Sequence, residues 1–257
     1  MIERALNREA IFKIMERGLR KGTIPGNDSV TWAHAWQNKE SFAIIVKQRA
    51  LNYKRKELIK TFILKRGDRE DVGVVPDIED RVIEMSICMV LENEKIWNYG
   101  KALMMELNGE KAFKHHADIY LRKYGDYVCS IDVENYYRSV DHSIFIKFLK
   151  KYISDGRMVD LIKNILDLKE GRSGIQIGHP LATYLMRKFL FSIDKELFNK
   201  PVLRFCDDFF FFSGNEEGCI DFIKSMREML LEIGLKANEH KITINHRPSI
   251  KSLLKFF

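Results

Sequence analysis

Apolar positions in the first 22 residues recur at Ile2, Leu6, Ile11, Ile14, Met15 and Leu19, the spacing of a helix with one buried face. Asn27-Asp28-Ser29 reads as a helix cap. TWAHAW follows and puts Trp32 and Trp36 four apart on one face, more often core packing than a base-stacking platform. Residues 39–58 continue as a helix. KTFILKR then alternates like a strand, GDRED supplies a turn, and VGVVP completes a hairpin. From Pro76 to about Leu107 the helical period returns. YVCSID (127–132) predicts a strand, HSIFIKFLKKYI (142–153) an amphipathic helix and residues 155–168 another helix. A longer helix begins near Pro180, since proline suits a first helical turn. PVLRFC and FFFFS predict two short strands around Asp207-Asp208, before a helix over 217–233 and the strand KITI. Strands and helices interleave without a regular βαβ repeat, so the expected class is α+β.

Composition narrows the picture. The 257 residues are 46% hydrophobic, enough for one large or two small packed domains. No window approaches a membrane span of about 18 apolar residues, and MIERALNREAIFKIMERGLRKG is too charged for a signal peptide. Four cysteines stand far apart without C-x-x-C spacing, which argues against a zinc site and fits a reducing cytoplasm. The formal charge of +7 is placed unevenly: residues 1–60 hold 13 Lys/Arg against 6 Asp/Glu, and the rest balance. A polyanionic partner and a merely solvated lysine-rich face explain that asymmetry about equally well.

One stretch resists a purely structural reading. In RFCDDFFFFS (204–213), Asp207 and Asp208 interrupt the most apolar run of the chain. Burying an unpaired carboxylate costs several kcal/mol, and a second beside it makes both worse. An exposed hairpin tip, pairing with basic side chains, and divalent-cation binding all remain possible from this stretch alone. CSIDVENYYRSVDH (129–142) supplies a second apolar strand ending in a carboxylate, Asp132. Two such strands side by side would give a cluster of hard oxygen ligands suited to Mg²⁺, as in enzymes that join or cut phosphodiesters.

Asp132 with Tyr137 five residues on, Gly178 opening a helix, Cys206-Asp207-Asp208, and GLKANEHK, in that order, resemble the palm of reverse transcriptases. DVENYYRSVDH (132–142) is similar to the D-I-x-x-F-F-x-S-I-x-H of bacterial members, and PDIEDRVIE (76–84) to the segment that ends their fingers. Coverage runs from about residue 60 to 257. The resemblance implies fingers and palm of a right-hand polymerase, with a small antiparallel palm sheet backed by helices and no evident thumb. The implied division is a basic helical extension over 1–58, fingers over 59–126, and palm over 127–257 with finger-associated helices near 142–170. It further implies RNA-directed DNA synthesis with two Mg²⁺ ions, Mn²⁺ as substitute, and Asp132, Val133, Asp207 and Asp208 as the metal set. Lys241 matches the lysine that protonates the leaving pyrophosphate, and Tyr137 the aromatic gate beneath the sugar of the incoming dNTP. Phe205 and Cys206 stand where the family has Tyr and Ala, Met or Val.

Ile177, Gly178 and the residues after them replace the usual Q-G-x-x-x-S-P, as in diversity-generating retroelement enzymes, although Ala182 and Thr183 depart from that subgroup. An apolar Ile177 removes a hydrogen-bonding check on the nucleotide, which implies reduced fidelity; Gln176 takes that role if the register shifts by one. Lys65, Arg66, Arg69 and Arg81 are candidates to grip the triphosphate, Arg81 alternatively pairing with a carboxylate near Asp80 or Glu84. PSIKSLLKFF resembles the primer-grip strand. With no thumb after it, a protein or RNA partner is expected to help hold template RNA and primer DNA. The setting implied is a bacterial or phage retroelement or antiviral defence system. A polymerase-like nucleic-acid-binding subunit without turnover is the alternative.

Overall fold

A computed structural model of the chain describes residues 1–56, 60–66, 69–94 and 109–253, the side chains of 66, 69, 109, 110, 250 and 251 excepted. Its first half runs through helices α1 (Ile2–Ala5), α2 (Arg8–Lys21), α3 (Trp32–Gln37) and α4 (Lys39–Leu51) to strands β1 (Lys60–Arg66) and β2 (Arg69–Val75). Helices α5 (Ile78–Asn93) and α6 (Gly109–Tyr124) lead to β3 (Tyr127–Asp132), α7 (Tyr136–Ser139), α8 (His142–Tyr152) and α9 (Gly156–Ile165). Helices α10 (Pro180–Phe189) and α11 (Phe191–Glu196), strands β4 (Val202–Phe205) and β5 (Asp208–Ser213), α12 (Glu216–Glu232), β6 (Thr243–His246) and α13 (Ile250–Leu253) complete it. The described chain forms two compact units, Met1–Ile96 with Asp141–Met186, and Trp97–Val140 with Arg187–Phe257.

In the first unit α1, α2 and α4 pack on α5, burying Ile11, Ile14, Met15, Val46, Ile83 and Ile87. Trp32 is buried and donates its indole N–H to Thr23 Oγ1 at 2.6 Å, whereas Trp36 stays half-exposed beside Phe12. The expected hairpin forms, β1 pairing antiparallel with β2 from Lys60↔Val75 to Arg66↔Arg69, but the turn is shorter than GDRED, since Arg69, Glu70 and Asp71 already pair as part of β2. Two helix boundaries differ from the sequence reading. Thr31 caps α3, its Oγ1 accepting from His34 N at 3.2 Å, because Asp28 spends a carboxylate oxygen on Val30 N at 3.0 Å. Helix α4 stops at Leu51, where the Asn52 amide side chain bonds Gln48 O; the expected helix ran to 58, but Arg55 and Lys56 turn away to Asp167 and Asp77. The continuation of α5 expected beyond Glu94 lies outside the described residues.

The second unit is a four-stranded antiparallel sheet in the order β4-β5-β3-β6. Phe210 and Phe212 point to one face, against Phe113 and Ala117 of α6, and Leu253 of α13 joins that cluster. Phe211 points to the other face and stacks on Phe222 of α12, centroids 4.3 Å apart. Four consecutive phenylalanines therefore serve a sheet covered on both sides, since successive strand residues face opposite ways. Residues 250–253 are helical where a strand was expected: Ser249 caps the turn, its Oγ accepting from Ser252 N at 3.1 Å. No helix among the described residues is long and apolar enough to cross a membrane.

Candidate active site

Strand β3 delivers Asp132 at its last position, opposite Asp208 at the first position of β5. Strands β4 and β5 are joined by the two-residue turn Cys206-Asp207, in which Cys206 takes a left-handed backbone, φ 52°. Side-by-side carboxylates at one sheet end thus follow from two short apolar strands that both terminate at aspartate.

Asp132 is nearly buried, and one of its carboxylate oxygens and its carbonyl are engaged. Its Oδ2 accepts from Lys241 Nζ at 2.9 Å and Asn238 Nδ2 at 3.1 Å, and its backbone carbonyl accepts from Asn238 N at 2.8 Å. A bridge between Val133 and Ala237, with Glu134 N donating to Lys236 O at 2.8 Å, ties the two segments together. Asn238 was missed as a site residue, although it lies within the family-like stretch GLKANEHK. The Val133 side chain is buried and apolar, so only its backbone oxygen could reach a metal.

Burial first, then repulsion from Asp207 and Asp132, together raise the Asp208 carboxyl to about 8 against the opposing pull of Lys241. The donor set is three carboxylates, hard oxygen ligands whose mutual repulsion a divalent cation relieves, so the chemistry of the site fits Mg²⁺. As they stand, no three His, Cys, Asp or Glu side chains among the described residues are spaced to hold an ion. Lys241 supplies the positive charge at Asp132 instead.

A measurable consequence follows from that carboxyl. Its folded pKa lies above the ordinary 3.8, so the native chain holds a proton that the unfolded chain releases between about pH 4 and pH 8. Stability should therefore fall as pH rises through this window, and Mg²⁺ should restore more of it at about pH 8 than at pH 5. Melting curves with EDTA or Mg²⁺ check this; an identical pH slope in Asp208→Asn would assign the effect to other groups.

Tyr137 follows on α7, half-buried, its ring edge-on to buried Tyr136 at 5.9 Å. The remaining candidates belong to the first unit. Gly178 has φ 110° and lies so close to β2 that Val74 N donates to Ile177 O at 2.8 Å. Behind it, Glu84 is fully buried, accepting from Leu181 N at 3.0 Å and pairing with His179 Nδ1 at 2.8 Å. Gln176 accepts from Arg55, so its amide is already engaged. Lys65 is exposed and pairs with Glu70 at 2.9 Å; the side chains of Arg66 and Arg69 lie outside the described residues. Arg81 corrects the expectation of a carboxylate partner. It is buried and donates to Pro76 O, Thr23 Oγ1 and Ile24 O at 2.5–2.6 Å, while Asp80 is taken by Arg49 at 2.6 Å. Neighbours in a helix do not face each other, so Arg81 could not reach Asp80.

An antiparallel sheet with helices on both faces and aspartates gathered at one end is the arrangement of a polymerase palm. Residues 63–253 match the family described as reverse transcriptase (RNA-dependent DNA polymerase), and the chain belongs to that family. Among solved structures it is similar to telomerase from Candida albicans in complex with the TWJ fragment of telomeric RNA (10% identity, TM-score 0.53, 85% of this chain and 47% of that one). It is also similar to apo telomerase from Candida tropicalis truncated from its C-terminal domain (13%, TM-score 0.54, 84% and 56%). The chain thus spans about half the length of these telomerase chains, and the likeness establishes an α+β fingers-and-palm fold. No curated protein matches the chain.

Proposed function

We propose that this chain catalyses RNA-directed DNA synthesis, with Asp132, Asp207 and Asp208 as its metal-binding carboxylates. The observation that carries the reading is the Asp132↔Asp208 pairing across β3 and β5, with Asp207 in the adjoining turn and Lys241 in contact. Asp132 and Asp207, with Asp208 and the Val133 carbonyl, would hold two Mg²⁺ ions, or Mn²⁺ in their place. When bound, such ions acidify a primer 3′-hydroxyl and neutralise charge on departing pyrophosphate. The protein's own share is positioning and proton supply. Asn238 fixes the orientation of Asp132, and Lys241, released from it, donates a proton to the leaving group. Ile177 and Gly178, with Lys65 and Arg69 on the fingers hairpin, are proposed to meet the incoming dNTP. The subdomain boundaries at 58 and 126 belong to the same proposal. A bacterial or phage retroelement or defence setting rests on DVENYYRSVDH; copurifying nucleic acid unrelated to such elements would count against it.

Tyr137 tests the site at the level of the sugar. Its ring is proposed to lie beneath the incoming deoxyribose, leaving no room for a 2′-hydroxyl. Tyr137→Val should raise ribonucleotide use by about tenfold or more, the scale of removing one steric or packing restraint of about 1–3 kcal/mol. Equal loss of dNTP and rNTP incorporation would make Tyr137 a packing residue of α7.

The basic N-terminal excess is proposed to contact RNA or DNA phosphates. Lys13, Arg17, Lys21 and Lys47 are exposed on α2 and α4, whereas Ile11, Ile14, Met15, Phe42 and Val46 of these helices are buried. Changing the four to Gln should flatten the salt dependence of RNA binding by up to about 0.7 in log–log slope for each phosphate no longer neutralised. An unchanged slope would leave these residues a solvated face.

A further inference from the structure

The largest fully buried side chain among the described residues is a charged one, Arg204 of β4, 1% exposed. Its Nε and Nη2 donate to Asp194 Oδ1 and Oδ2 at 2.7 and 2.6 Å, a bidentate pair with an equally buried residue of α11. Nη2 also reaches Arg187 O at 3.4 Å, and Nη1 donates to the carbonyl of Cys206 at 2.5 Å. A buried ion pair is weak evidence for stability, because apolar residues of similar volume often serve as well. What such a pair does supply is fixed geometry: the planar fork accepts one arrangement of partners.

That geometry is delivered to one place. Cys206 is a non-glycine residue in a left-handed conformation, which persists only where surroundings over-determine it. Its carbonyl defines the plane of the Cys206–Asp207 peptide, and this plane sets the direction in which Asp207 leaves the turn. We propose that Arg204, held by Asp194, is a positioning residue that sets the Cys206–Asp207 turn and so aims the Asp207 carboxylate. The inference rests on the metal-binding role proposed above for Asp207. Arg204 touches no substrate; it acts through the turn.

Cys206 provides a reporter that does not depend on turnover. It is half-exposed, whereas Cys129 and Cys219 are buried, and labelling at each cysteine can be read separately by peptide mass spectrometry. Arg204→Lys, which keeps charge but not the fork, and Asp194→Asn should speed maleimide labelling of Cys206 several-fold well below the melting temperature. Mn²⁺ binding should weaken by about 10–100-fold, the usual effect of losing a residue that orients a ligand. In incorporation assays kcat should fall while the KM for dNTP changes little. Should single variants fail to fold, Arg204→Met with Asp194→Leu removes both charges together and tests the same turn. Unchanged Cys206 labelling and Mn²⁺ affinity in folded variants would overturn the proposal. A wild-type chain that binds no Mn²⁺ would instead sink the metal-site reading, while the Cys206 contrast would still decide the clamp.

Discussion

Asp207→Ala is expected to lower templated nucleotide incorporation by at least about a thousandfold, and Asp132→Ala to do the same. Each removes a carboxylate from the proposed metal site, whose ions would stabilise transition-state charge by several kcal/mol, and each 1.36 kcal/mol is tenfold in rate. Neither change should unfold the chain. Asp207 lies in a two-residue turn, half-buried, and its alanine variant relieves repulsion on Asp208. Asp132→Ala releases Lys241, which is exposed and can hydrate, although it also costs Asn238 a hydrogen bond. Melting curves beside incorporation assays separate the two effects. Full activity in Asp207→Ala would remove that residue from the mechanism, and lost activity with lost folding would make it structural.

Gly178→Ala is expected to be strongly destabilising. A Cβ at this position would stand 2.0 Å from the carbonyl oxygen of Val74 and 2.6 Å from its nitrogen, both backbone atoms that cannot rotate aside. The backbone at φ 110° also excludes an L side chain without strain of about 1–3 kcal/mol. Separation of the two segments would break the bond from Val74 N to Ile177 O, worth roughly another 1 kcal/mol. A combined loss of about 3 kcal/mol corresponds to a fall of roughly 6–12 °C in melting temperature for a chain of this size. Thermal unfolding checks it, and an unshifted transition would place residue 178 away from β2.

Much of this was legible in the chain itself. The alternation of KTFILKR and VGVVP, and the ends of YVCSID and RFCDD, mark the hairpin and the strands that carry the aspartates, because period-two patterns bounded by turn residues have few other solutions. Helix α6 carried no expectation, although Phe113, Ala117, Tyr120, Leu121 and Tyr124 share one face at helical spacing. Other features depend on residues far apart in sequence. Nothing local to Arg81 announces that Thr23 and Ile24 will accept from its guanidinium, or that Arg49 will take Asp80. Arg204 and Asp194 look like ordinary surface charges until the fold buries both beside the Cys206–Asp207 turn. Residues 250–253 carry a strand-like resemblance, yet a serine cap decides the local conformation.

Whether this chain copies RNA into DNA is decided by primer extension on a defined RNA template, with Mg²⁺ and one deoxynucleotide supplied at a time. The wild-type chain is expected to add the nucleotide complementary to the template base, addition to stop without Mg²⁺, and Asp207→Ala to add none. Absence of addition by the folded wild-type chain, or addition that ignores the template base, would contradict RNA-directed synthesis.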